Sequence, residues 1–234
     1  MASKLIYLDN ASTTTVNPEV LKTYNQVVET YFANPSSIHF EGQKSARLLD
    51  KAREQIISCF KLPSHTCIFT SGATEANNLA LKGAALRYRN RGNHIIVSNV
   101  EHPSVLETVK QLKEYFGFEV TFLPVNNQGY VSIDTLKSAI KDDTFLVSLM
   151  AVNNETGAVN DIESIARAVK ARNPNTLFHS DGVQAFGRVF VRDAGNIDYY
   201  TVSAHKIHAL KGMGAVLYKP KAPLKPYILG GGQE

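Results

Sequence analysis

Apolar and polar residues follow one another along the chain in blocks that predict helices and strands in turn. Apolar residues at helical spacing predict helices over 19–32, 42–60, 73–89, Pro103 to about Phe116, 132–140 and 161–172. Shorter apolar runs predict strands over 66–70, 94–98, 118–125, 145–152, 176–180, 198–203 and 214–218. Strands separated by helices of this length favour an α/β fold, with a mainly parallel seven-stranded sheet and helices on both faces.

Two of these segments carry more specific local signals. FLVSLMAV (145–152) is an unbroken apolar run, as expected of a strand that is covered on both faces. The segment 132–140 begins Ser-Ile-Asp, a start that predicts a helix cap at Ser132. The run 66–70 is read as a short buried strand.

Composition narrows the class of protein without naming a function. The chain has 234 residues, of which 44% are hydrophobic and 20% charged, as in ordinary globular proteins. This length fits one large domain, or one domain with part of another. The net charge of +4 arises without any run of basic residues, which argues against direct nucleic-acid binding and suits an anionic small molecule.

The two cysteines and the start of the chain carry no signal for a disulfide framework, a metal site or a membrane span. Cys59 and Cys67 cannot form a disulfide framework and have no metal-ligand spacing, so no metal site is predicted. Both are expected to be buried structural thiols. MASKLIYLDN has no apolar stretch of signal-peptide or membrane-span length, so the cytoplasm is the expected location.

Polar residues follow five of the predicted strands. In open α/β sheets, ligands bind beyond the carboxyl ends of the strands, so these residues are the place to look for a site. The five segments are SGAT (71–74), VEHPS (100–104), NNETG (153–157), SDGVQ (180–184) and SAHK (203–206). Their convergence predicts a ligand site more strongly than any one of them does.

Three of the five segments match what pyridoxal phosphate requires. The helix start after Gly72, with the Thr74 hydroxyl, suits a phosphate, although ordinary helix capping explains it equally well. Asp181 could face a positively charged ring nitrogen or could form a turn before Gly182. Lys206, near other cations, could serve as a nucleophilic amine or could be a surface lysine. Phosphate site, acid and lysine are the three groups this cofactor needs.

Three further polar residues at strand ends have plausible roles. His102 could stack on a flat ring or move protons, or could be a structural histidine. Asn154 could bind a carboxylate or a phenolic oxygen, or could form a turn. Gln184 is similarly placed, three residues after Asp181.

The ordered motifs resemble the cysteine desulfurases of the class V aminotransferase group. They are YLDNAS-TT, FTSGATEANN, EHPSV, VNNETG, HSDGVQAFG and SAHKIH-KG-G, which span nearly the whole chain. The resemblance implies the large domain of a fold type I pyridoxal-phosphate enzyme over 15–234, truncated at its C-terminal end. It also implies that residues 1–14 pack with a small domain whose main part lies beyond residue 234.

Site roles carry over from the resemblance at individual positions. Lys206 resembles the lysine that binds the cofactor covalently, and His102 resembles the histidine that stacks on its ring and takes part in proton transfer. Asp181 matches the partner of the ring nitrogen, and Gln184 the partner of the phenolic oxygen. Asn154 resembles the asparagine near the substrate carboxylate and the cofactor. The expected phosphate site consists of Ala73, Thr74, Ser203 and His205.

The activity implied is conversion of L-cysteine to L-alanine, with sulfur passed to an enzyme cysteine as a persulfide for iron–sulfur cluster or tRNA-thiolation pathways. A homodimer and a sulfur-acceptor or scaffold protein are the implied partners. Neither cysteine stands at the nucleophile position, which is expected beyond residue 234, so the isolated chain is expected to be inactive in sulfur transfer. Thr15 and Ala209-Leu210 depart from the usual Pro and Gly-Pro. A selenocysteine lyase, another class V enzyme and a non-catalytic cofactor-binding protein remain alternatives.

Overall fold

The computed structural model describes residues 5–60, 64–222, 224–226 and 228–231. The described α-helices are α1 (Pro18–Thr30), α2 (Phe40–Cys59), α3 (Ala73–Tyr88), α4 (Pro103–Phe116), α5 (Ile133–Ala139) and α6 (Ile162–Arg172), with a 3₁₀ turn at Ala204–Lys206. The described strands are β1 (Thr66–Thr70), β2 (His94–Ser98), β3 (Glu119–Leu123), β4 (Thr144–Ser148), β5 (Leu177–Asp181), β6 (Tyr199–Ser203) and β7 (Gly214–Tyr218).

The strands form one seven-stranded sheet in the order β1-β7-β6-β5-β4-β2-β3. Strands β2 to β6 run parallel, and β7 runs antiparallel to both of its neighbours, β1 and β6. The predicted α/β class and mainly parallel seven-stranded sheet are therefore confirmed. Since β4, β5 and β6 are parallel neighbours, their carboxyl ends meet along one edge.

The core has two layers because alternate strand residues point to opposite faces of the sheet. On one face, Ile96 packs in a cluster with residues of α5 and α6. On the other face, Ile95 and Leu146 pack in a cluster with residues of α3 and α4. All residues of β2, β4, β5 and β6 are buried, as expected of strands covered on both sides. Full burial of each large apolar side chain contributes about 1.5–3 kcal/mol before opposing costs.

Two predictions about burial are wrong in part. Cys67 is buried as predicted, but Cys59 is exposed. The reason is that Ile56 and Ile57 are the α2 residues that pack against the core near this end, and Cys59 lies beyond them in the last turn. Strand β1, read as a buried strand, lies at an edge of the sheet and is mostly half-buried.

Helix boundaries agree with the predictions to within about two residues, and the Ser132 cap is confirmed by its acceptance of a hydrogen bond from the Thr135 backbone N–H. Across the described residues, no helix combines the length and apolar character needed to cross a membrane.

A short N-terminal stretch lies against the loop that follows β6. The Thr14 backbone N–H donates to the His205 carbonyl at 2.9 Å, and the Asn17 N–H donates to the His208 carbonyl at the same distance. The His208 N–H donates in return to Thr14 Oγ1 at 2.8 Å. Residues 1–4 lie outside the described part, and packing of 1–14 with a further domain stays a prediction.

Candidate functional site

One open cleft of about 780 Å³ lies where β4, β5 and β6 end, and we call it the strand-end cleft. All nine residues predicted from the sequence to form the site line it. They are Ala73, Thr74, His102, Asn154, Asp181, Gln184, Ser203, His205 and Lys206. The sheet therefore brings together residues up to 133 positions apart, as the strand-end argument predicted, while their individual roles remain predictions.

Helix α3 begins at the cleft with its backbone N–H groups open. Its N-cap is Gly72, which has no side chain to satisfy them. The Glu75 carboxylate turns back and accepts hydrogen bonds from the Ser71 N–H at 2.8 Å and the Ser71 hydroxyl at 2.6 Å. The first N–H groups of a helix lack partners within it, so this start can bind an anion through Ala73 and Thr74.

A close contact between two glycines sets the position of this helix start. A Cβ atom on Gly214, at the start of β7, would lie 2.6 Å from the carbonyl carbon of Gly72. Real Cβ atoms do not approach backbone so closely, so only glycine fits at residue 214 with the loop in this place. The start of α3 therefore packs directly against the start of β7.

Asp181, the last residue of β5, is a buried carboxylate facing the cleft. It accepts hydrogen bonds from the Val183 N–H at 3.0 Å and from Asn77 Nδ2 at 2.8 Å. Burial raises the pKa of Asp181, and these two hydrogen bonds oppose the rise. The Val183 bond is of the turn-forming kind, so Asp181 has the turn role considered from the sequence, while its role in binding stays a prediction.

Gly182 follows Asp181 because the sheet leaves no room for a side chain there. A Cβ atom on this residue would lie 1.9 Å from the ring of Tyr200. The glycine therefore permits the chain to leave β5 against a buried tyrosine and to hold Asp181 at the cleft.

Lys206 ends the 3₁₀ turn after β6 and is half-buried. Its ammonium donates to the Ser12 carbonyl at 2.7 Å and also to the Ala11 carbonyl. Burial lowers the pKa of Lys206, with Asp9 acting against the fall and Arg188 adding to it. The side chain is thus more easily deprotonated than an ordinary lysine, which a nucleophilic amine requires.

His102 is both a cleft residue and the N-cap of α4. Its Nδ1 accepts a hydrogen bond from the Ser104 backbone N–H at 3.1 Å and lies 2.8 Å from Ser104 Oγ. A capping side chain is fixed in orientation by the helix it caps. From the sequence, His102 could be either structural or functional; in the fold it is a helix cap that also lines the cleft.

Two amide side chains, those of Gln184 and Asn154, line the cleft. Gln184 Nε2 donates to the Ala11 carbonyl at 2.8 Å. Asn154 Nδ2 donates to Glu155 Oε1 at 2.7 Å. Both amides keep an oxygen or a second hydrogen for a bound molecule.

His205 and Ser203 lie on the β6 side of the cleft. His205 Nδ1 is hydrogen-bonded to Thr13 Oγ1 at 3.0 Å. Burial, with Lys206 and Lys211 nearby, lowers the pKa of His205. Ser203 is buried at the end of β6 and lines the cleft.

Asn77, Ser104 and Glu101 are buried polar residues next to the cleft to which no role was assigned from the sequence, although Ser104 and Glu101 lie in the candidate segment VEHPS. Asn77 donates to both Asp181 and Ser104, and its signal was a polar residue on the alanine-rich face of α3. Glu101 accepts from the Ser98 hydroxyl at 2.6 Å and the Met150 N–H at 2.9 Å. Burial raises the pKa of Glu101 to about 8. Its position in a polar loop gave no sign of burial.

Comparison with known proteins places this geometry in a family. Residues 6–234 match the family model described as Aminotransferase class-V. The chain is 43% identical over 233 residues to a mitochondrial cysteine desulfurase of Eremothecium gossypii, covering 98% of this chain and 47% of that protein. It is 41% identical over 230 residues to the cysteine desulfurase IscS of Dictyoglomus turgidum, covering 98% of this chain and 58% of that protein.

Solved structures agree with the sequence comparisons. A NifS-like protein superposes with a TM-score of 0.93 at 39% identity, over 98% of this chain and 63% of that one. SspA in complex with cysteine superposes with a TM-score of 0.89 at 36% identity, over 98% and 66%. The chain spans about half the length of the curated relatives it matches. With the family model matching nearly all of it, the chain belongs to the class-V aminotransferase family.

Proposed function

We propose that this chain forms the cofactor-binding part of a pyridoxal-phosphate-dependent cysteine desulfurase. One observation carries the proposal: Lys206, Asp181 and the open start of α3 meet in one cleft. These supply an amine, an acid and an anion site, the three groups that pyridoxal phosphate requires.

The residues present fit this cofactor, on which the class-V family depends. Burial raises the pKa of Asp181, so its charged form gains most from a cationic partner such as a protonated ring nitrogen. The uncapped start of α3 gives N–H donors to a phosphate, with the Thr74 and Ser203 hydroxyls beside it. When bound, pyridoxal phosphate withdraws electrons from the α-carbon of an amino acid and so eases loss of its proton.

Asp181 and Lys206 would have opposite roles toward protons. Asp181 would hold a proton on the ring nitrogen as a hydrogen-bonded carboxylate. Lys206, whose pKa burial lowers, would attach to the cofactor and, once released, accept a proton as a neutral amine. Asp181 ends β5, and Lys206 ends the turn that follows the neighbouring strand β6. The sheet therefore sets the separation of the two residues.

The remaining cleft residues would orient the bound molecule. The His102 ring, fixed by its cap, would cover one face of the cofactor. Gln184 would bond the phenolic oxygen, and Asn154 would lie near the substrate carboxylate. His205 would complete the phosphate site.

L-cysteine is the substrate proposed, since the relatives above are named cysteine desulfurases and one matching structure is titled as a complex with cysteine. Sulfur transfer to an enzyme cysteine, a homodimer, a sulfur acceptor or scaffold, and a cytoplasmic location all stay predictions. Neither Cys59 nor Cys67 lines the cleft, so the part proposed for these described residues is binding and proton transfer.

Borohydride reduction in the presence of pyridoxal phosphate, followed by peptide mass mapping, tests the cofactor site. We expect a covalent adduct on Lys206. The matched control is Lys211→Ala, because Lys211 also lines the cleft and its loss should leave the adduct unchanged. An adduct that persists undiminished in Lys206→Ala, or that maps to another lysine, would refute the proposal.

Deuterium exchange at the α-carbon tests proton transfer without requiring sulfur release. In heavy water, the chain loaded with pyridoxal phosphate should exchange the α-proton of L-cysteine or L-alanine for deuterium, as measured by NMR. The Lys206→Ala variant should show no such exchange. Formation of a keto acid from the amino acid would point instead to a transaminase.

A further inference from the structure

Four side chains form a continuous hydrogen-bonded chain beneath the strand-end cleft. Asn77 Nδ2 donates to Asp181 Oδ2 at 2.8 Å and to Ser104 Oγ at 2.8 Å. Ser104 Oγ in turn lies 2.8 Å from His102 Nδ1. Asn77 is fully buried on the inner face of α3, and Ser104 is buried in the first turn of α4. The chain joins the acid at the end of β5 to the ring that caps α4.

The direction of each bond follows from which groups can donate. The amide nitrogen of Asn77 faces a carboxylate and a hydroxyl, and it has two hydrogens to give them. Its oxygen, Oδ1, is buried without a hydrogen-bond partner among the described residues. The side-chain carbonyl oxygen of Asn77 is therefore left unpaired, which costs free energy, while both hydrogens of its amide group are donated within the hydrogen-bonded chain.

The same logic places the proton of His102. Since Ser104 Oγ accepts from Asn77, its single hydrogen is free to point at His102 Nδ1. The Ser104 backbone N–H also points at Nδ1, and an N–H can only donate. Nδ1 therefore receives two hydrogen bonds and carries no proton of its own. In the neutral ring, the proton must be on Nε2.

We infer that Asn77 and Ser104 are positioning residues that hold His102 as the Nε2–H tautomer at the cleft and tie it to Asp181. The inference rests on the proposed function. Nε2 makes no hydrogen bond within the described residues, so its N–H is left for a bound molecule. In this tautomer Nε2 offers a hydrogen to a molecule bound in the cleft and is not itself the proton acceptor. Proton acceptance at the cleft falls to the amine of Lys206.

The test is a long-range ¹H–¹⁵N NMR spectrum of the full chain labelled with ¹⁵N-histidine, recorded with and without pyridoxal phosphate. The variant His102→Asn identifies the His102 signals. We expect the Nε2–H pattern, with Nδ1 unprotonated. A dominant Nδ1–H pattern in the parent protein would overturn the inference without requiring any further variant.

Two variants examine the positioning role. Ser104→Ala removes one of the two bonds to Nδ1 and should shift the tautomer ratio about fivefold toward Nδ1–H, the equivalent of one ordinary hydrogen bond. Asn77→Ala, checked by circular dichroism for folding, should shift it in the same direction. The control is Asn78→Ala, the next residue of α3, whose amide, within the part of the chain that the structure describes, donates to the Thr74 carbonyl alone. An unshifted ratio in folded Ser104→Ala would show that its side chain does not set the tautomer.

The borohydride adduct separates failure of this inference from failure of the proposed function. An adduct on Lys206 together with an Nδ1–H ring would refute the tautomer assignment and leave the cofactor site standing. An Nε2–H ring without any adduct on Lys206 would support the hydrogen-bonded chain and refute the cofactor site.

Discussion

Two helices, α3 and α4, begin at the strand-end cleft in opposite ways. Helix α3 begins at Gly72 without a side-chain cap, which leaves its N–H groups open. Helix α4 begins at His102, whose ring accepts the Ser104 N–H. Each of the other four described α-helices has a side-chain cap, from Asn17, His39, Ser132 or Asp161.

The difference shows how the start of a helix can serve either to attract an anion or to orient a side chain. An open helix start attracts an anion through its free N–H groups and its dipole. A capped start uses the same groups to fix the orientation of the capping side chain. The cleft therefore gains an open helix start from α3, where the phosphate is proposed to bind, and an oriented imidazole from α4.

The largest effect is expected at Glu101, directly before the capped start. Burial raises its pKa to about 8, whereas in the unfolded chain it ionises near its ordinary value of 4.5. Between these pH values the folded chain binds more protons, so its free energy of unfolding falls as pH rises. Glu101→Gln should remove this slope and be more stable than the parent at pH 8, by at most about 4 kcal/mol.

Urea unfolding of both proteins from pH 5 to pH 8 measures this difference. Glu107→Gln serves as the control, because Glu107 is exposed on α4 and should leave the slope unchanged. Parallel stability curves for Glu101→Gln and the parent would contradict the prediction.

A negative charge at the open start of α3 should act in opposite senses on stability and binding. Thr74→Asp places a carboxylate where the phosphate is proposed, so the affinity for pyridoxal phosphate should fall about a hundredfold. The cofactor-free chain should become about 0.5 kcal/mol more stable, since an acidic residue favours a helix start. Fluorescence titration and urea unfolding measure the two effects.

Asn78→Asp supplies the same charge one turn further along α3 and should change affinity far less. Equal affinity in Thr74→Asp and the parent would mean that the open start does not bind the phosphate.

The glycine contact under α3 gives the next effect in size. Gly214→Ala would push a Cβ atom against the Gly72 backbone, so the loop or β7 must move. We expect a loss of about 2 kcal/mol in the free energy of unfolding, together with weaker cofactor binding. Gly117→Ala is a poor control because of its positive φ, whereas Gly230→Ala has open space around it and should be neutral. Unchanged stability in Gly214→Ala would show that the contact is not constraining.

The sequence predicted the sheet and the cleft because both depend on regular patterns. Unbroken apolar runs such as the one at β4 indicated central parallel strands, and the polar residues after them had to meet at one edge. Burial at edges was less predictable, because neither Cys59 nor β1 shows in its own sequence what packs over it.

The polar residues beneath the cleft were hidden for a different reason. Asn77 is four residues after Ala73 and so lies one turn along α3, on its buried face. Its partners Ser104 and Asp181 are 27 and 104 residues away. Only the packing of α3 and α4 on the sheet brings them together, so spacing along the chain could not reveal the hydrogen bonds.

The smallest effect expected separates the two roles of His102. His102→Ala removes the acceptor for the Ser104 N–H and should cost about 1 kcal/mol of stability, whereas His102→Asn keeps a capping side chain and should restore most of it. Both variants lose the ring, so both should bind pyridoxal phosphate more weakly, by a similar factor. Ser132→Ala is the matched control: it removes the cap of α5, a helix that does not line the cleft, and should lower stability without lowering affinity. If His102→Asn regained affinity for pyridoxal phosphate along with stability, the imidazole ring would have no part in binding. Both helix starts at the cleft would then contribute to binding through their backbone N–H groups alone.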